Sequence, residues 1–282
     1  MSRRRPPFHG PPQRSSARPS APRSPVAEPR TGSATAWTGE TARWYDSLAG
    51  ERGSDYQQQV VFPGTLRLLE LKPGERVLDV ACGQGAFARL LASGGARVVG
   101  IDASRELIER ARRQSPQEIT YVAVDAARLG GAVQGPFDAI ACILAIQNIE
   151  AIDLVIAGCA ALLAPRGRLA LVLNHPAFRA PRQSGWGWDE QRKLQYRRVD
   201  SYLTPNKIPI QVHPGAQPGL VAWSFHRPLQ TYVAALAKAG LAVDALEEWP
   251  SHRASQPGPR ARAEDRARDE IPLFLAMRAR RG

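Results

Sequence analysis

The sequence predicts an α/β protein built on a doubly wound, mostly parallel sheet. Three observations lead there. Short apolar runs alternate with helix-periodic segments from Arg76 onward, three of the runs carry an acid at or near the carboxyl end, and the first turns through two glycines into a helix.

The elements follow in order. Arg76–Val80 reads as a strand, Gly85–Ser93 as a helix, Arg97–Ile101 as a strand and Ser104–Arg113 as a helix. Ile119–Val124 and Phe137–Ile143 read as strands, Ile149–Ala164 as a helix and Arg168–Leu173 as a strand. Leu229–Ala239 is helix-periodic, and Leu241–Glu247 and Pro272–Arg278 close the chain as strands. Ahead of the first strand, Trp37, Trp44, Tyr45 and Leu48 sit near helical spacing, and Tyr56 to Phe62 reads as a short amphipathic helix. Between Asn174 and Pro228 lies an irregular stretch rich in aromatics and prolines. It is longer than an ordinary loop, and loops of that length in compact domains are usually functional.

Composition excludes several classes. The 282 residues, 43% of them hydrophobic, suffice for one good-sized α/β core with extensions. No uninterrupted apolar run reaches the roughly 18 residues of a membrane span. The net charge is +12, and residues 1–36 carry half of it, with seven arginines against Glu28 alone. That segment has almost no large apolar residues and cannot offset its ordering entropy, so it is expected to be a disordered basic tail. It lacks the apolar core of a secretory signal. Cys82, Cys142 and Cys159 match neither a metal-binding pair nor a disulfide framework, so reduced thiols, no metal site and a cytoplasmic location are expected.

The chemistry concentrates in Val77-Leu78-Asp79-Val80-Ala81-Cys82-Gly83-Gln84-Gly85. Glycine lets the backbone approach a ligand, and the following helix N-terminus offers unpaired N–H groups. The segment from Gly83 to Ala88 also fits the dinucleotide pattern G-x-G-x-x-A, which alone is a weak signal. An acid at Asp79 would repel a pyrophosphate and attract a cationic, amino-acid-like ligand. Asp102 and Asp125 end the next two strands, which places three acids where open α/β sheets bind ligands.

Together these residues resemble class I S-adenosylmethionine-dependent methyltransferases of the small-molecule branch, from about Trp44 to the C-terminus. Asp79-x-Ala81-x-Gly83-x-Gly85 is similar to that family's first motif, with alanine at a position where many members have glycine. Phe137 to Ile146 is similar to its fourth. The resemblance implies a Rossmann-like, seven-stranded sheet with an antiparallel last strand over residues 37–282, an aromatic-rich insertion or lid at 174–228, and S-adenosylmethionine as cofactor. It implies that Asp79 orients the methionine ammonium, that the Ala81, Cys82, Gly83 and Gly85 backbone lines the cofactor, and that Asp102 takes the ribose hydroxyls beside Ala103. Asp125, with Ala126 beside it, would accept from the adenine amino group. Cys142 and Ile143 would face the methyl group, and Tyr45 would cap the site.

Methyl transfer from a sulfonium is an in-line displacement, so positioning the nucleophile supplies most of the catalysis and no metal is required. His175, after the fifth strand, is the candidate proton acceptor, with a loop-fixing hydrogen bond as the alternative role. Trp186, Trp188, Tyr196, Tyr202, Trp223 and Phe225 could wall an apolar acceptor, and Arg179, Arg182, Arg192, Arg197 and Arg198 weakly favour an acidic one. The expected reaction is methyl transfer to oxygen, nitrogen or carbon of a small molecule by a monomer or homodimer, with no membrane partner. The alternative is an RNA or protein substrate, with the basic tail as anchor.

Overall fold

The computed structural model describes residues 50–211 and 221–281. The basic tail at 1–36, the aromatics Trp37 and Trp44, and the expected cap Tyr45 lie outside the described residues.

Seven strands form one sheet: β1 (Arg76–Val80), β2 (Arg97–Asp102), β3 (Thr120–Ala123), β4 (Phe137–Ile143), β5 (Leu163–Asn174), β10 (Leu241–Trp249) and β11 (Phe274–Arg281). Their order is β10-β11-β5-β4-β1-β2-β3. Strands β1 to β5 pair in parallel, and β11 runs antiparallel to both β5 and β10. This is the doubly wound mixed sheet with an antiparallel last strand that the sequence and the resemblance predict.

Alternation explains why the middle strands read as unbroken apolar runs. Leu78 and Val80 of β1, Ile140 and Cys142 of β4 and Leu169 and Leu171 of β5 point into one core. Val77, Ala139, Ala141, Ala170 and Val172 point into the core on the other face. Both faces are covered by helices, so no strand residue can be polar without a reason. The first core is closed by α4 (Ile152–Leu162) and α5 (Leu229–Lys238), which bring Val155, Ile156, Cys159 and Leu236 to it. The second is closed by α1 (Phe62–Leu69), α2 (Ala86–Ser93) and α3 (Arg105–Gln114), through Leu68, Leu69, Phe87, Leu91 and Ile108. Among the described residues, no helix is long and apolar enough to cross a membrane.

Three elements differ from the expectation. The segment Tyr56 to Phe62 contains one π-helical turn, Gln57–Val61, and that turn runs on into α1, with Pro63 harmless in the first turn of α1. The stretch after β5 holds four strands in two hairpins: β6 (Ser184–Asp189) with β7 (Leu194–Val199), and β8 (Asn206–Gln211) with β9 (Val221–His226). Neither hairpin joins the main sheet. Finally, α6 (Ala261–Glu270) precedes β11.

The two glycines of the first turn are used differently. Gly83 has φ +57°, and Gly85 has φ +82° and caps α2. A Cβ on Gly85 would lie 2.3 Å from the Tyr121 hydroxyl, which is itself held by Ser115 at 2.9 Å. Gly85→Ala therefore combines a left-handed backbone with a collision against a buried ring. We expect a loss of about 2–4 kcal/mol, which scanning calorimetry would register as a melting temperature lower by roughly 5–15 °C.

Candidate ligand cleft and its family

The cleft lies beyond the carboxyl ends of β1, β2, β3 and β4 and encloses about 1050 Å³, its open mouth included. Asp79, Ala81, Cys82 and Gly83 line it from the first strand and its turn. Asp102, Ala103, Asp125, Ala126 and Ile143 line it from the next three. The structure thus brings together nine of the thirteen residues that the sequence nominates as site residues.

Asp79 is 2% exposed, set between Gly100 of β2 and Ala141 of β4, and its Oδ2 is buried without a hydrogen-bond partner. Burial, with the nearby Asp102 carboxylate adding to it, pushes its pKa up to about 8. The carboxyl therefore keeps its proton at neutral pH until a cation or donor arrives. Gln84 repeats the pattern. Its Nε2 donates to the Gly50 carbonyl, while its Oε1 is buried and unpartnered. Two orphaned acceptors in one cleft wall call for a ligand that brings donors.

Asp102 is used structurally on both oxygens. Gly83 N–H donates to Oδ2 at 2.9 Å and Ser104 N–H donates to Oδ1 at 2.8 Å. One carboxylate thereby ties the glycine turn after β1 to the turn after β2. Burial raises its pKa, against the lowering effect of those two amides. Asp125 caps the short 3₁₀ turn Ala126–Arg128 by accepting from Ala127 N–H at 2.9 Å. Cys82 sits between these acids, and burial together with Asp79 and Asp102 raises its thiol pKa well above the ordinary value, so it stays a neutral thiol. Ala81, at φ +57°, holds a left-handed conformation that costs an alanine about 1 kcal/mol.

Of the other four nominated residues, three are described and do not line the cleft. Tyr45 is outside the described residues. Gly85 shapes the turn from behind, as its φ and its approach to Tyr121 show. Cys142 is fully buried beneath the cleft, within the apolar core. His175 stands at the end of β5 beside a second, smaller cavity. Its Nδ1 accepts from Ala177 N–H at 3.2 Å and Phe178 N–H at 3.3 Å, and its Nε2 lies 2.7 Å from Glu248 Oε1. That pattern fixes the Nε2–H tautomer, and burial outweighs Glu248 to hold the pKa below the usual histidine value. Nδ1 is engaged by the loop and Nε2 by Glu248 of β10, an arrangement that favours the loop-fixing alternative for His175.

Several lining residues carry no motif signal. Phe62 and Phe87, tilted with their ring centroids 5.1 Å apart, form an apolar wall, and Gln57, Leu107 and Asn148 are among the other lining residues. Gln84 was legible in principle, as the polar residue between two turn glycines.

Comparison with known proteins agrees with this geometry. Residues 78–171 match the family described as "Methyltransferase domain". An S-adenosylmethionine-dependent methyltransferase from Mesorhizobium loti superposes with a TM-score of 0.61 at 27% identity, covering 82% of this chain and all of that one. Residues 78–171 are a methyltransferase domain of the class I, S-adenosylmethionine-dependent family. A putative methyltransferase from Listeria monocytogenes shares the fold at a TM-score of 0.60 and 23% identity, over 79% of this chain and 99% of that one. Two ubiquinone biosynthesis O-methyltransferases are similar to part of this chain. That of Xanthomonas campestris is 36% identical over 102 residues, 35% of this chain and 43% of the relative. That of Xanthomonas axonopodis is 36% identical over 132 residues, 46% and 55% respectively. The chain thus spans about half the length of these curated relatives.

Proposed function

We propose that this chain transfers a methyl group from S-adenosylmethionine to a small-molecule acceptor, with oxygen as the acceptor atom. The observation that carries the reading is the unpartnered Asp79 Oδ2, buried in the cleft beside the equally unpartnered Gln84 Oε1. Two buried polar groups without partners, one of them a carboxyl that can ionise against a cation, fit the ammonium end of an amino-acid-derived cofactor. The O-methyltransferase names of the Xanthomonas relatives support oxygen as the acceptor atom.

In this reading Asp79 and Gln84 hold the amino-acid end. Asp102, with one lone pair per oxygen left over from its amide bonds, takes the ribose hydroxyls, and Asp125 with Ala126 takes the adenine edge between Leu107 and Val124. Bound there, S-adenosylmethionine supplies an electrophilic sulfonium methyl. The chain's own contribution is placement. Ile143, Leu144 and Ala145 at the end of β4 exclude water from the reacting end, and the turn through Asn148 and Ile149 bounds the acceptor side.

Isothermal titration calorimetry with S-adenosylhomocysteine tests this reading. Binding should be saturable at micromolar concentration. At pH 7 it should also release a proton, because the Asp79 carboxyl is protonated in the free cleft and ionises against the ammonium. The apparent enthalpy will then vary with the ionisation enthalpy of the buffer. Absence of binding overturns the reading, and binding without proton release overturns the role of Asp79.

A further inference from the structure

Across the 3₁₀ turn Ile146–Asn148 from the cofactor cleft lies a second cavity of about 320 Å³, its open mouth included, against about 1050 Å³ for the cleft on the same measure. It has room for one carboxylate group. Its walls include Gln147, His175, Arg179, Ser224, His226 and Arg227, and no acidic side chain lines it.

Its polar groups are left unsatisfied in a specific way. Arg227 donates from Nη2 to the Ile149 carbonyl at 2.9 Å and the Glu150 carbonyl at 2.7 Å, while its Nη1 is buried without a hydrogen bond of good geometry, the Tyr232 hydroxyl lying near the guanidinium. Arg179 is exposed at the rim; its backbone N–H donates to the His175 carbonyl at 2.8 Å, while its guanidinium makes no hydrogen bond or ion pair with a described residue. Arg197 lies near enough to Arg179 to feel its charge, and its own bonds go to the Phe178 carbonyl and the Ser184 hydroxyl rather than to a carboxylate. Three guanidinium groups thus gather on this side of the domain without an anion.

Gln147 adds direction. It is 8% exposed, and its Nε2 donates to the Leu144 carbonyl at 2.8 Å. Flipping the amide would set two oxygens face to face, so the orientation is fixed and the unpartnered buried atom is the acceptor Oε1. The cavity therefore asks for a negative charge and a hydrogen-bond donor together. The histidines do not supply the anion. His175 is committed to its loop and Glu248, and His226 lies 2.7 Å from the Tyr202 carbonyl through Nε2.

We propose that this cavity binds a carboxylate of the methyl acceptor. Arg227 Nη1 and the Arg179 guanidinium receive the carboxylate oxygens, and Gln147 Oε1 accepts from a hydroxyl or amide next to it, so the acceptor is a hydroxy acid or its amide-bearing equivalent. The inference rests on the methyltransferase reading for the identity of the ligand, and on the cavity alone for its chemistry. The turn Ile146–Asn148 lies between the two, with Asn148 lining the cleft and Gln147 lining the cavity.

The probes are glycolate, acetate, glycolamide and inorganic phosphate, followed by saturation-transfer NMR or calorimetry on the full chain with and without saturating S-adenosylhomocysteine. Glycolate should bind with an affinity on the order of millimolar, as befits so few atoms. Acetate should bind more weakly for want of the donor, and neutral glycolamide weakest. Arg179→Gln, which removes no bond within the chain, should weaken glycolate about tenfold and leave S-adenosylhomocysteine affinity unchanged. Arg227→Gln should do the same to glycolate, and Arg113→Gln, at the exposed end of α3 and outside the cavity lining, should leave it unaltered. Equal binding of glycolamide and glycolate, or no effect of Arg179→Gln, overturns the proposal. Phosphate binding more tightly than glycolate overturns the carboxylate assignment. Failure of S-adenosylhomocysteine to bind, with the glycolate ranking intact, removes the methyltransferase reading and leaves an anion site.

Discussion

Asp79→Asn should make the ligand-free protein more stable at pH 8 while making it a poorer binder. The wild-type carboxyl is buried between Gly100 and Ala141 with Asp102 nearby, and its pKa rises to about 8 from an ordinary 3.8. Between those values the native state keeps a proton that the unfolded chain has lost. Stability from this group is thus complete below about pH 4 and falls as pH rises toward 8. Cys82 and Tyr121, which also feel Asp79, remain neutral through that window because burial raises both. An asparagine amide does not ionise, so the variant escapes the loss. The gain should approach the order of 4 kcal/mol at pH 8, read as a melting temperature higher by roughly 10 °C, and should vanish near pH 4. The same substitution removes the charge that receives an ammonium, so S-adenosylhomocysteine affinity should fall about 30–100-fold. Thermal melts from pH 4 to pH 8 and calorimetry at pH 8 check both halves. Equal destabilisation at every pH would show that Asp79 is simply a packed side chain.

Asp102→Ala should act in the opposite direction on stability. It strips the acceptor from Gly83 N–H and Ser104 N–H at once, in a site where water has little access. Leaving both amides unpaired costs about 1–3 kcal/mol each, and the glycine turn loses its tie to β2. Asparagine is no milder, because one oxygen becomes an NH₂ that opposes a backbone N–H. Melting should fall by roughly 5–15 °C, and S-adenosylhomocysteine binding should weaken by at least a hundredfold, since the ribose partner and the turn geometry go together. The contrast is diagnostic. Two neighbouring acids of one cleft should give stability changes of opposite sign at pH 8 and affinity changes of the same sign.

That contrast also marks what the residues disclosed before any coordinates. The boundaries of β1 and β4 were legible because both are apolar runs enclosed by turn signals, and the acids at Asp79, Asp102 and Asp125 could be placed by counting from them. β5 begins at Leu163, earlier than Arg168, because Leu163 pairs with Phe137 across an irregular register that Pro165 and Gly167 disguise. The hairpins were hidden by composition. β6 reads Ser-Gly-Trp-Gly-Trp-Asp, and its Gly187 is tolerated because the Tyr196 ring of β7 covers the place of a side chain, a cross-strand contact invisible to local pattern. α6 was hidden for another reason. It buries only Ala267, so no apolar period exists to find. For His175 the sequence left a proton acceptor and a loop-fixing hydrogen bond both open, because the partner that favours the second, Glu248, is 73 residues away.

The two hairpins carry one more consequence. The strands β6 and β7 add no residue to either core and are bonded only to each other among the strands, so most of what orders them is local. An isolated pair of strands is marginal in water. Tied to the rest of the domain by Arg197 and Ser184 at the Phe178 carbonyl and by Arg260 at Trp188 and Glu190, this flap is expected at the shallow end of the molecule's free-energy scale. Amide hydrogen exchange should therefore be faster in β6 and β7 than in β1, β4 and β5, which are buried on both faces.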